Sequence, residues 1–398
     1  MAYIYKAGVV GGGLMGAGIA QVISYSGLPV VLKDVDEDRV QKGLRTIREM
    51  YEARVKKGKM SPEQLEHKMA LVQGTTSYDD FADVDLVIEA VFEDLDLKRR
   101  VFADLGKACP PSAILTSNTS ALSISDMGEA SGRSDRVAGL HFFYPAPIMK
   151  LVEVIPTAKT AQDTLDTCVS FVESLRKIPV RVKECAGFLV NRLLMPYCGE
   201  AGYALQEGAA TAQEIDEAMT TFGMPMGPFL LADALGIDVC WKVAQVLHAA
   251  YGDRANPPEI LKFLYEKSRL GMKSGAGFYT YSEQPDILSE LVLSRKKTGF
   301  SVERILYPMI NEAAFCLQEE VASPSDIDMS MLAGTGFPQD KGGLLRYADT
   351  LGLDVVLNGL RNLEREIGPR FHPCPLLERK VEAGELGVKS KRGFFEHT

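Results

Sequence analysis

Residues 4–34, IYKAGVVGGGLMGAGIAQVISYSGLPVVLKD, decide the fold of the N-terminal part of the chain. An apolar run at 4–10 predicts a buried parallel strand, and it leads into a glycine turn at 11–16 that matches GxGxxG. A helical pattern closed by Gly27 follows, and a second apolar strand ends at Asp34. Strand, glycine turn, helix, strand and terminal acid together form the Rossmann fingerprint of dinucleotide binding.

Each part of this fingerprint has a physical reason. Gly11 allows the tight turn, Gly13 lets the backbone approach a pyrophosphate, and Gly16 lets the helix pack close to the strand. The N–H groups and dipole at the helix N-terminus favour phosphates. Asp34 would accept hydrogen bonds from ribose hydroxyls and repel a 2′-phosphate, which favours NAD over NADP. The alternative is a plain glycine-rich turn, and the surrounding strand–helix–strand pattern argues against it.

Composition excludes several classes of function. The chain has 398 residues, enough for two or three domains, and a net charge of −9, which argues against nucleic acid and anionic membranes as partners. Its seven cysteines include no CxxC pair, so neither disulfides nor a zinc or other metal site is expected. The N-terminus lacks the basic start and long apolar core of a signal peptide, and no run reaches the ~18–20 apolar residues that span a bilayer. We therefore expect a soluble cytoplasmic protein, with an organelle matrix as the alternative location.

Two further apolar stretches, 84–92 and 113–116, predict strands of the same sheet, with a helix over 94–108 between them. Ligands of a parallel sheet lie beyond the carboxyl ends of its strands. Three polar residues near those ends are therefore expected beside the nicotinamide half of the cofactor: Glu93, Lys98 and Ser120.

Some of these residues have a plainer interpretation. Lys98 could lie on a solvated helix face, and Ser120 could be a helix N-cap or part of a Ser/Thr turn. The stretch ARVKKGKM at 53–60 is the densest positive cluster of the chain. It is either a solvated helix face or, through Lys56 and Lys59, a docking point for a phosphorylated substrate tail.

The stretch HFFYPAPIMKLVEVI, residues 141–155, places two ionisable groups in apolar surroundings. A strand predicted over 136–143 carries His141, and Glu153 lies within the next strand, over 149–155. A buried acid is rare unless it is paired, and the imidazole is the nearest candidate in sequence. A carboxylate bound to one ring nitrogen fixes the tautomer, so the other nitrogen can take a proton from a substrate hydroxyl. The alternative is a purely structural pair.

The second half of the chain repeats. GFLVNRLLMPYCGEAGYALQEG, from Gly187, aligns with GFSVERILYPMINEAAFCLQEE, from Gly299, and DALGIDV, from Asp233, aligns with DTLGLDV, from Asp349. Both members of each pair are helical in pattern. The predicted fold class is an α/β Rossmann dinucleotide-binding domain followed by two tandem all-α helical domains. The predicted domain limits are 1–184, 185–284 and 285–398.

Six stretches resemble the L-3-hydroxyacyl-CoA dehydrogenases of fatty-acid β-oxidation, and the likeness covers essentially the whole chain. They are GGGLMGAGIA, IEAVFEDLDLK, SNTSALSI, HFFYPAPIMKLVEVI, CAGFLVNRLL and MGPFLLAD. The likeness is closest to the dehydrogenase half of the multifunctional β-oxidation α-subunits, whose enoyl-CoA hydratase domain is not part of this sequence. The resemblance implies NAD-dependent oxidation of an L-3-hydroxyacyl-CoA to the 3-ketoacyl-CoA.

The resemblance also implies roles for individual residues. His141 is expected to be the general base and Glu153 its partner. Ser120 is expected to contact the substrate hydroxyl and the cofactor, and Asn191 the carbonyl side of the acyl-CoA substrate. The NAD site is expected to be lined by Gly11, Gly13, Leu14, Met15, Gly16, Asp34, Val91, Glu93, Lys98, Ser120 and Tyr144. Many members of the family have asparagine at the last of these positions, where this chain has the larger tyrosine.

The two helical copies differ, because Asn191 of the first aligns with Glu303 of the second. We therefore expect the second copy to be structural. Single-copy relatives pair their helical domains in dimers, so this chain is expected to be either a monomeric pseudo-dimer or a homodimer. A hydratase or thiolase is a candidate partner. The alternative functions are a dehydrogenase of 3-hydroxybutyryl-CoA alone or of a free hydroxy acid, and a non-catalytic NAD-binding protein.

Overall fold

The computed structural model describes residues 3–282 and 299–398. The chain divides into two compact units, Met1–Glu184 and Cys185–Thr398. The boundary that the sequence predicts between the two helical copies, after residue 284, lies outside the described residues. None of the described helices is both long enough and apolar enough to cross a membrane.

The first unit is built on one eight-stranded sheet. Its strands are β1 Ala7–Val10, β2 Val30–Lys33, β3 Val72–Thr75, β4 Leu86–Glu89, β5 Ile114–Ser117, β6 Val137–Phe142, β7 Leu151–Pro156 and β8 Ile178–Arg181. Their order in the sheet is β3-β2-β1-β4-β5-β6-β7-β8. Strands β1 to β6 are parallel, β7 runs antiparallel to β6, and β8 is parallel to β7. The predicted α/β sheet is confirmed, with strand ends shifted by up to three residues.

Six helices connect these strands: α1 Leu14–Ser26, α2 Glu37–Lys56, α3 Pro62–Met69, α4 Leu95–Ala108, α5 Ile124–Ser131 and α6 Gln162–Ser174. Every residue of β1, β2, β4 and β5 is buried. Strands that are buried on both faces read as continuous apolar runs, which is why these segments show no alternation of polar and apolar residues. Because the inner strands are parallel, their carboxyl ends meet at one edge of the sheet.

The turn between β1 and α1 requires glycine at two positions. Gly11 has a φ of 106°, and a Cβ there would lie 2.5 Å from the carbonyl oxygen of Ala90. A Cβ on Gly16 would lie 1.8 Å from the carbonyl oxygen of Gly11. Any side chain at either position would force the turn apart, so both predicted roles have a steric basis.

The second unit is helical, and its two halves repeat the same order of elements. The first half contains α7 Val190–Gln206, α8 Ala212–Phe222, α9 Pro228–Leu235, α10 Ile237–Tyr251 and α11 Glu259–Glu266. The second contains α12 Glu303–Gln318, α13 Pro324–Ser330, α14 Leu344–Leu351, α15 Leu353–Glu366 and α16 Pro375–Glu382. A π-helical turn, Met331–Thr335, follows α13.

The two halves share local detail as well as order. Asp233 accepts a hydrogen bond from the backbone N–H of Phe278, and Asp349 accepts one from that of Phe394, at 2.8 Å in both cases. Helices α7 and α12 pack against each other, and each contains an internal proline, Pro196 or Pro308. The predicted pair of tandem helical copies is therefore present, and the first helices of the two copies are in contact with each other.

Candidate active site

His141 and Glu153 lie directly opposite each other in the antiparallel pair β6–β7. The imidazole Nδ1 is 2.7 Å from Glu153 Oε2. Both residues are buried, and the carboxylate has no exposed surface. An ionised carboxylate is only an acceptor, so Nδ1–H donates to it and the neutral ring then presents Nε2 as an acceptor. The strand register thereby fixes the tautomer that general-base chemistry requires.

Ser120 lies on the Nε2 side of the same ring. Its Oγ is 3.1 Å from His141 Nε2, so the hydroxyl donates to the neutral imidazole. The alternative that this serine is a helix N-cap is wrong, because Ser123 is the residue that caps α5 and accepts from Asp126 N. Hydroxyl, imidazole and carboxylate therefore form one hydrogen-bonded chain at the edge of the sheet.

Neighbouring residues hold this chain in place. The amide N–H of Phe142, directly after the histidine, donates to Asn118 Oδ1 at 2.8 Å. The ring of Phe143 lies 4.5 Å from the imidazole ring, centroid to centroid. No role was predicted for Asn118, although an amide placed just after a buried strand is a signal of such a contact. The Asn118 side chain ties the loop after β5 to the end of β6.

The glycine turn offers a cradle for a pyrophosphate. A Cβ built on Gly13 would meet nothing within 4 Å, so the space in front of the turn is open to a ligand. Gly13 is also the N-cap of α1, and it has no side chain to occupy the N–H groups of the first helical turn. Leu14, the next residue, is 64% exposed, and Met15 is half-buried. Open space, unoccupied donors and a helix dipole suit a bound phosphate.

Asp34 is positioned by two backbone donors. Gly12 N donates to its Oδ2 and Val35 N to its Oδ1, each at 2.7 Å. Each carboxylate oxygen can accept more than one hydrogen bond, so both can still bind ribose hydroxyls. The orientation of this acid at the end of β2 therefore fits the predicted contact with the adenosine ribose of NAD.

Lys98 is buried and ion-paired, so the interpretation as a solvated helix face is wrong. Its side chain is 1% exposed, and its Nζ lies 2.7 Å from Glu89 Oε1 and 3.4 Å from Glu93 Oε2. Glu89 is fully buried and also accepts from Ser117 Oγ and Val91 N. Glu89, for which no role was predicted, is the nearest partner of the lysine.

Glu93 links this ion pair to the serine of the hydrogen-bonded chain. Its Oε1 accepts from Ser120 N at 3.0 Å and from the Thr119 hydroxyl. Its side chain is still partly exposed, unlike that of Lys98. One ammonium group and two carboxylates thus surround the start of α4, and the more exposed carboxylate can also reach a ligand.

The other predicted residues are placed as follows. Val91 is half-buried in the loop just after β4, and Tyr144 is 60% exposed in the loop between β6 and β7. Asn191 lies in the first turn of α7, in the second unit. Lys56 and Lys59 are both exposed near the end of α2.

The positive cluster at the end of α2 borders a cavity. The cavity has a volume of about 460 Å³ and lies between α2 and α3, and Lys56 is among its lining residues. Its other charged lining residues are Arg48, Glu52, Glu63 and Glu66. Arg54 is already occupied, because it donates to the hydroxyl of Tyr25 and lies over its ring. Only the exposed lysines of the cluster remain as candidates for binding a phosphate.

The thiols of Cys109 and Cys168 are buried, and the described residues include no cluster of metal-ligating side chains. All seven cysteines are free thiols, and residues 3–282 and 299–398 contain no group of three or more His, Cys, Asp or Glu side chains arranged to hold a metal ion. Burial raises the pKa of Cys109 to about 11 and that of Cys168 to about 12. Both thiols are therefore protonated at neutral pH and are poor nucleophiles.

Comparison with known proteins identifies the family. Residues 6–185 match the family described as 3-hydroxyacyl-CoA dehydrogenase, NAD binding domain. Residues 187–281 and, separately, 299–397 match 3-hydroxyacyl-CoA dehydrogenase, C-terminal domain. The chain belongs to the 3-hydroxyacyl-CoA dehydrogenase family. Members are NAD-dependent oxidoreductases, and the glycine cradle and Asp34 of this chain fit the NAD that the family binds.

Longer curated proteins are similar to this chain. The fatty acid oxidation complex subunit alpha of Idiomarina loihiensis is 40% identical over 393 residues, which are 96% of this chain and 55% of that protein. The glyoxysomal fatty acid beta-oxidation multifunctional protein of Cucumis sativus is 37% identical over 406 residues, covering 97% of this chain and 56% of that protein. The chain thus spans a little over half the length of these curated relatives.

Solved structures of similar enzymes are also known. That of 3-hydroxybutyryl-CoA dehydrogenase from Escherichia coli K12 has a TM-score of 0.87 and 30% identity, covering 96% of this chain and all of that one. That of (S)-3-hydroxybutyryl-CoA dehydrogenase from Ralstonia eutropha has a TM-score of 0.69 and 38% identity, covering 71% of this chain and all of that one.

Proposed function

We propose that this dehydrogenase oxidises the hydroxyl group of L-3-hydroxyacyl-CoA thioesters to the ketone in fatty-acid β-oxidation. The hydrogen-bonded chain Ser120–His141–Glu153 is the observation that carries the proposal. It holds a neutral imidazole with an acceptor nitrogen beside a hydroxyl group, at the edge of the sheet where parallel strands present ligands. The names of the curated relatives, which refer to fatty-acid oxidation, support the choice of pathway.

The chemistry follows from the geometry of these residues. Bound NAD supplies the acceptor for the hydride that leaves C3. His141 Nε2 receives the proton of the substrate hydroxyl, and the Glu153 carboxylate, 2.7 Å from the other ring nitrogen, stabilises the imidazolium that forms. Ser120 can donate to the substrate oxygen where partial charge develops. The role proposed for Asn191, from the family resemblance, is to hold the carbonyl side of the substrate.

The acyl-chain length of the substrate is a separate question. The names of the matching solved structures favour a second candidate, a dehydrogenase restricted to 3-hydroxybutyryl-CoA. A series of L-3-hydroxyacyl-CoA substrates from C4 to C16, followed by NADH absorbance, distinguishes the two. Turnover that extends to long chains supports the β-oxidation enzyme, and turnover at C4 alone supports the second candidate. Activity on free 3-hydroxy acids but not on thioesters would contradict both.

A non-catalytic NAD-binding protein on the same fold is the remaining alternative. The same assay tests it, because such a protein would bind NADH without oxidising any thioester. The buried pairing of His141 with Glu153 argues against it, since burial of both groups is unfavourable and a scaffold does not require it.

The exposed lysines near the end of α2 suggest how the substrate could dock. We propose that Lys56 and Lys59 attract the phosphates of the CoA portion. Both are exposed, in a chain whose net charge is negative, so a local cluster is needed to attract a polyanion. The acids Glu52, Glu63 and Glu66 of the neighbouring cavity would direct the phosphates to its lysine-bearing rim rather than into it.

The assembly of the protein is also proposed. The pairing of α7 with α12 within one chain supports a monomeric pseudo-dimer, and a homodimer through another surface is the alternative. Light scattering at several concentrations distinguishes them.

Association with a hydratase or thiolase is proposed from the names of the multifunctional relatives. A cytoplasmic location is proposed from the free thiols.

A further inference from the structure

Arg192 on α7 and Arg304 on α12 occupy equivalent positions of the two helical copies, and each is paired with an acid of the other copy. Arg192 Nε lies 2.6 Å from Glu312 Oε1, and Arg304 Nε lies 2.7 Å from Glu200 Oε1. Because Glu200 and Glu312 are also equivalent, the two ion pairs are related by a pseudo-two-fold axis. The N-terminal part of each helix is thus held by the central part of the other.

A second acid completes each end of the network. Glu319 lies 2.7 Å from Arg192 Nη1, and Glu207 lies 2.6 Å from Arg304 Nη2. Two further equivalent arginines, Arg254 and Arg370, lie within 3.5 Å of the acids at the corresponding ends. Four arginines and four glutamates balance in charge, which allows the innermost groups to be buried.

The symmetry of this network ends at the residue before each arginine. Asn191 precedes Arg192 in the first turn of α7, whereas Glu303 precedes Arg304 in the first turn of α12. The second copy therefore keeps the charges of the contact but lacks the amide that faces substrate under the proposed function. Under the proposed function, only the Arg192 end of the network lies next to a residue that contacts substrate.

The arginine beside Asn191 is held firmly. Its side chain is fully buried, and its guanidinium lies 4.3 Å from the ring centroid of Tyr251. The Tyr251 hydroxyl donates to the carbonyl of Ala186, in the segment that leads into α7. Removing one acid would leave two arginines, Arg192 and Arg254, facing a single carboxylate, and the helix end would have to move or admit water to relieve the excess positive charge.

We propose that Glu312 and Glu319 of the second helical copy are positioning residues that hold the first turn of α7, and with it Asn191, through their ion pairs with Arg192. This inference rests on the proposed function, because it assigns a task to the asparagine that the function requires. In this way the second copy contributes to the reaction of the first without contacting substrate.

The pseudo-symmetry supplies a matched control for the experiment. Glu319→Gln weakens the end that holds Asn191, and Glu207→Gln weakens the equivalent end beside Glu303. Both acids are partly exposed, so both variants are expected to fold with similar losses of thermal stability. Glu207 is also sixteen residues along the chain from Asn191, about 24 Å at the rise of an α-helix.

We expect Glu319→Gln to lower kcat/KM for the acyl-CoA substrate by about tenfold, because small displacements of substrate-positioning groups are costly. The KM for NAD should not change. Glu207→Gln should stay within about twofold of the parent, the range of a surface charge change. Equal losses in the two variants would overturn the proposal, because the network would then act only through stability.

A second measurement does not depend on turnover. Hydrogen exchange of the amides at residues 188–194 should become faster in Glu319→Gln and stay as in the parent in Glu207→Gln. Unchanged exchange in the first variant overturns the inference even if activity falls. A parent protein inactive on every 3-hydroxyacyl-CoA would instead overturn the proposed function, while the exchange comparison would still decide whether the second copy holds this helix end.

Discussion

His141 and Glu153 are direct cross-strand neighbours, so their contact is set by the register of β6 and β7 rather than by a flexible loop. A slip of one residue in either strand would turn one of the two side chains to the opposite face of the sheet. Apart from the half-buried Pro156, the other residues of both strands are buried and apolar, which makes such a slip unfavourable. The dyad is therefore as rigid as the sheet.

Replacement of the imidazole should remove turnover but not cofactor binding. His141→Gln removes the proton acceptor, and we expect kcat to fall by about 10²–10⁴-fold, the usual contribution of a general base. NADH affinity, measured by fluorescence titration, should stay close to that of the parent because the glycine turn is untouched. Near-normal turnover in this variant would contradict the assignment of the base.

The carboxylate partner can be tested at constant size. Glu153→Gln keeps the shape but removes the charge that stabilises the imidazolium, and we expect kcat to fall by roughly 10²-fold. Glu153→Asp keeps the charge and shortens the reach, so it serves as the control and should retain more activity than Glu153→Gln. The reverse order would indicate that packing, not charge, is what the ring requires from this position.

Loss of the proton from the buried Lys177 should make the folded protein more stable as the pH rises above 8. Its ammonium donates to the carbonyls of Ala146 and Met149, in the loop between β6 and β7. Burial, with repulsion from Lys150, lowers its pKa from 10.5 to about 8. Between these values the unfolded chain binds the proton that the folded protein has released, so stability increases with pH across that window.

The comparison for this lysine is Lys177→Met. The difference in melting temperature between parent and variant should grow in favour of the parent from pH 8 to pH 10.5. A constant difference across that range would show that the ammonium titrates normally in the folded protein.

The same loop carries Tyr144, so the KM for NADH in Lys177→Met also tests whether the loop takes part in cofactor binding.

The buried pair of Glu89 and Lys98 should make a large contribution to stability. Glu89→Gln removes the nearer carboxylate from a buried ammonium and leaves only Glu93, at 3.4 Å, as its counter-charge, so we expect the free energy of unfolding to fall by about 3 kcal/mol in urea titrations. The double variant Glu89→Gln/Lys98→Met should recover part of that loss. As a control, Lys159→Ala, which breaks the exposed pair with Glu129, should cost less than about 1 kcal/mol. Similar losses of unfolding free energy in Lys159→Ala and Glu89→Gln would show that the buried pair contributes no more to stability than an exposed one.

The proposed CoA contact should depend on charge. Lys56→Ala/Lys59→Ala should raise KM for the CoA thioester by about two- to fivefold, with the effect weakening at high salt. The matching N-acetylcysteamine thioester has no phosphates, so its KM should not change. Lys159→Ala controls for the loss of one positive charge from the surface elsewhere in the same unit. An equal rise in KM for both thioesters would remove these lysines from the docking site.

The sequence predicted contacts that depend on local pattern and missed those that depend on packing between elements. The glycine turn was predictable from its GxGxxG spacing. The pairing of His141 with Glu153 was predictable because a buried charge needs a nearby partner. The solvated alternative for Lys98 looked equally plausible, since nothing in the helix sequence shows that its lysine points to Glu89. That pairing arises only when α4 packs beside β4.

The ion pairs between the helical copies were beyond prediction for the same reason. Arg192 and Glu312 are 120 residues apart, and each belongs to an ordinary amphipathic helix. The repeat indicated that two copies exist, but not which charges would cross between them. The alignment did show correctly where the copies differ, at Asn191 and Glu303.

The pairing of α7 with α12 has a consequence for stoichiometry. The sequence contains one GxGxxG turn for two helical copies, so titration with NADH should saturate at one equivalent per chain. Because the paired helices belong to one polypeptide, their effective concentration does not fall when the protein is diluted. Specific activity should therefore stay constant at enzyme concentrations where a contact between separate chains would dissociate.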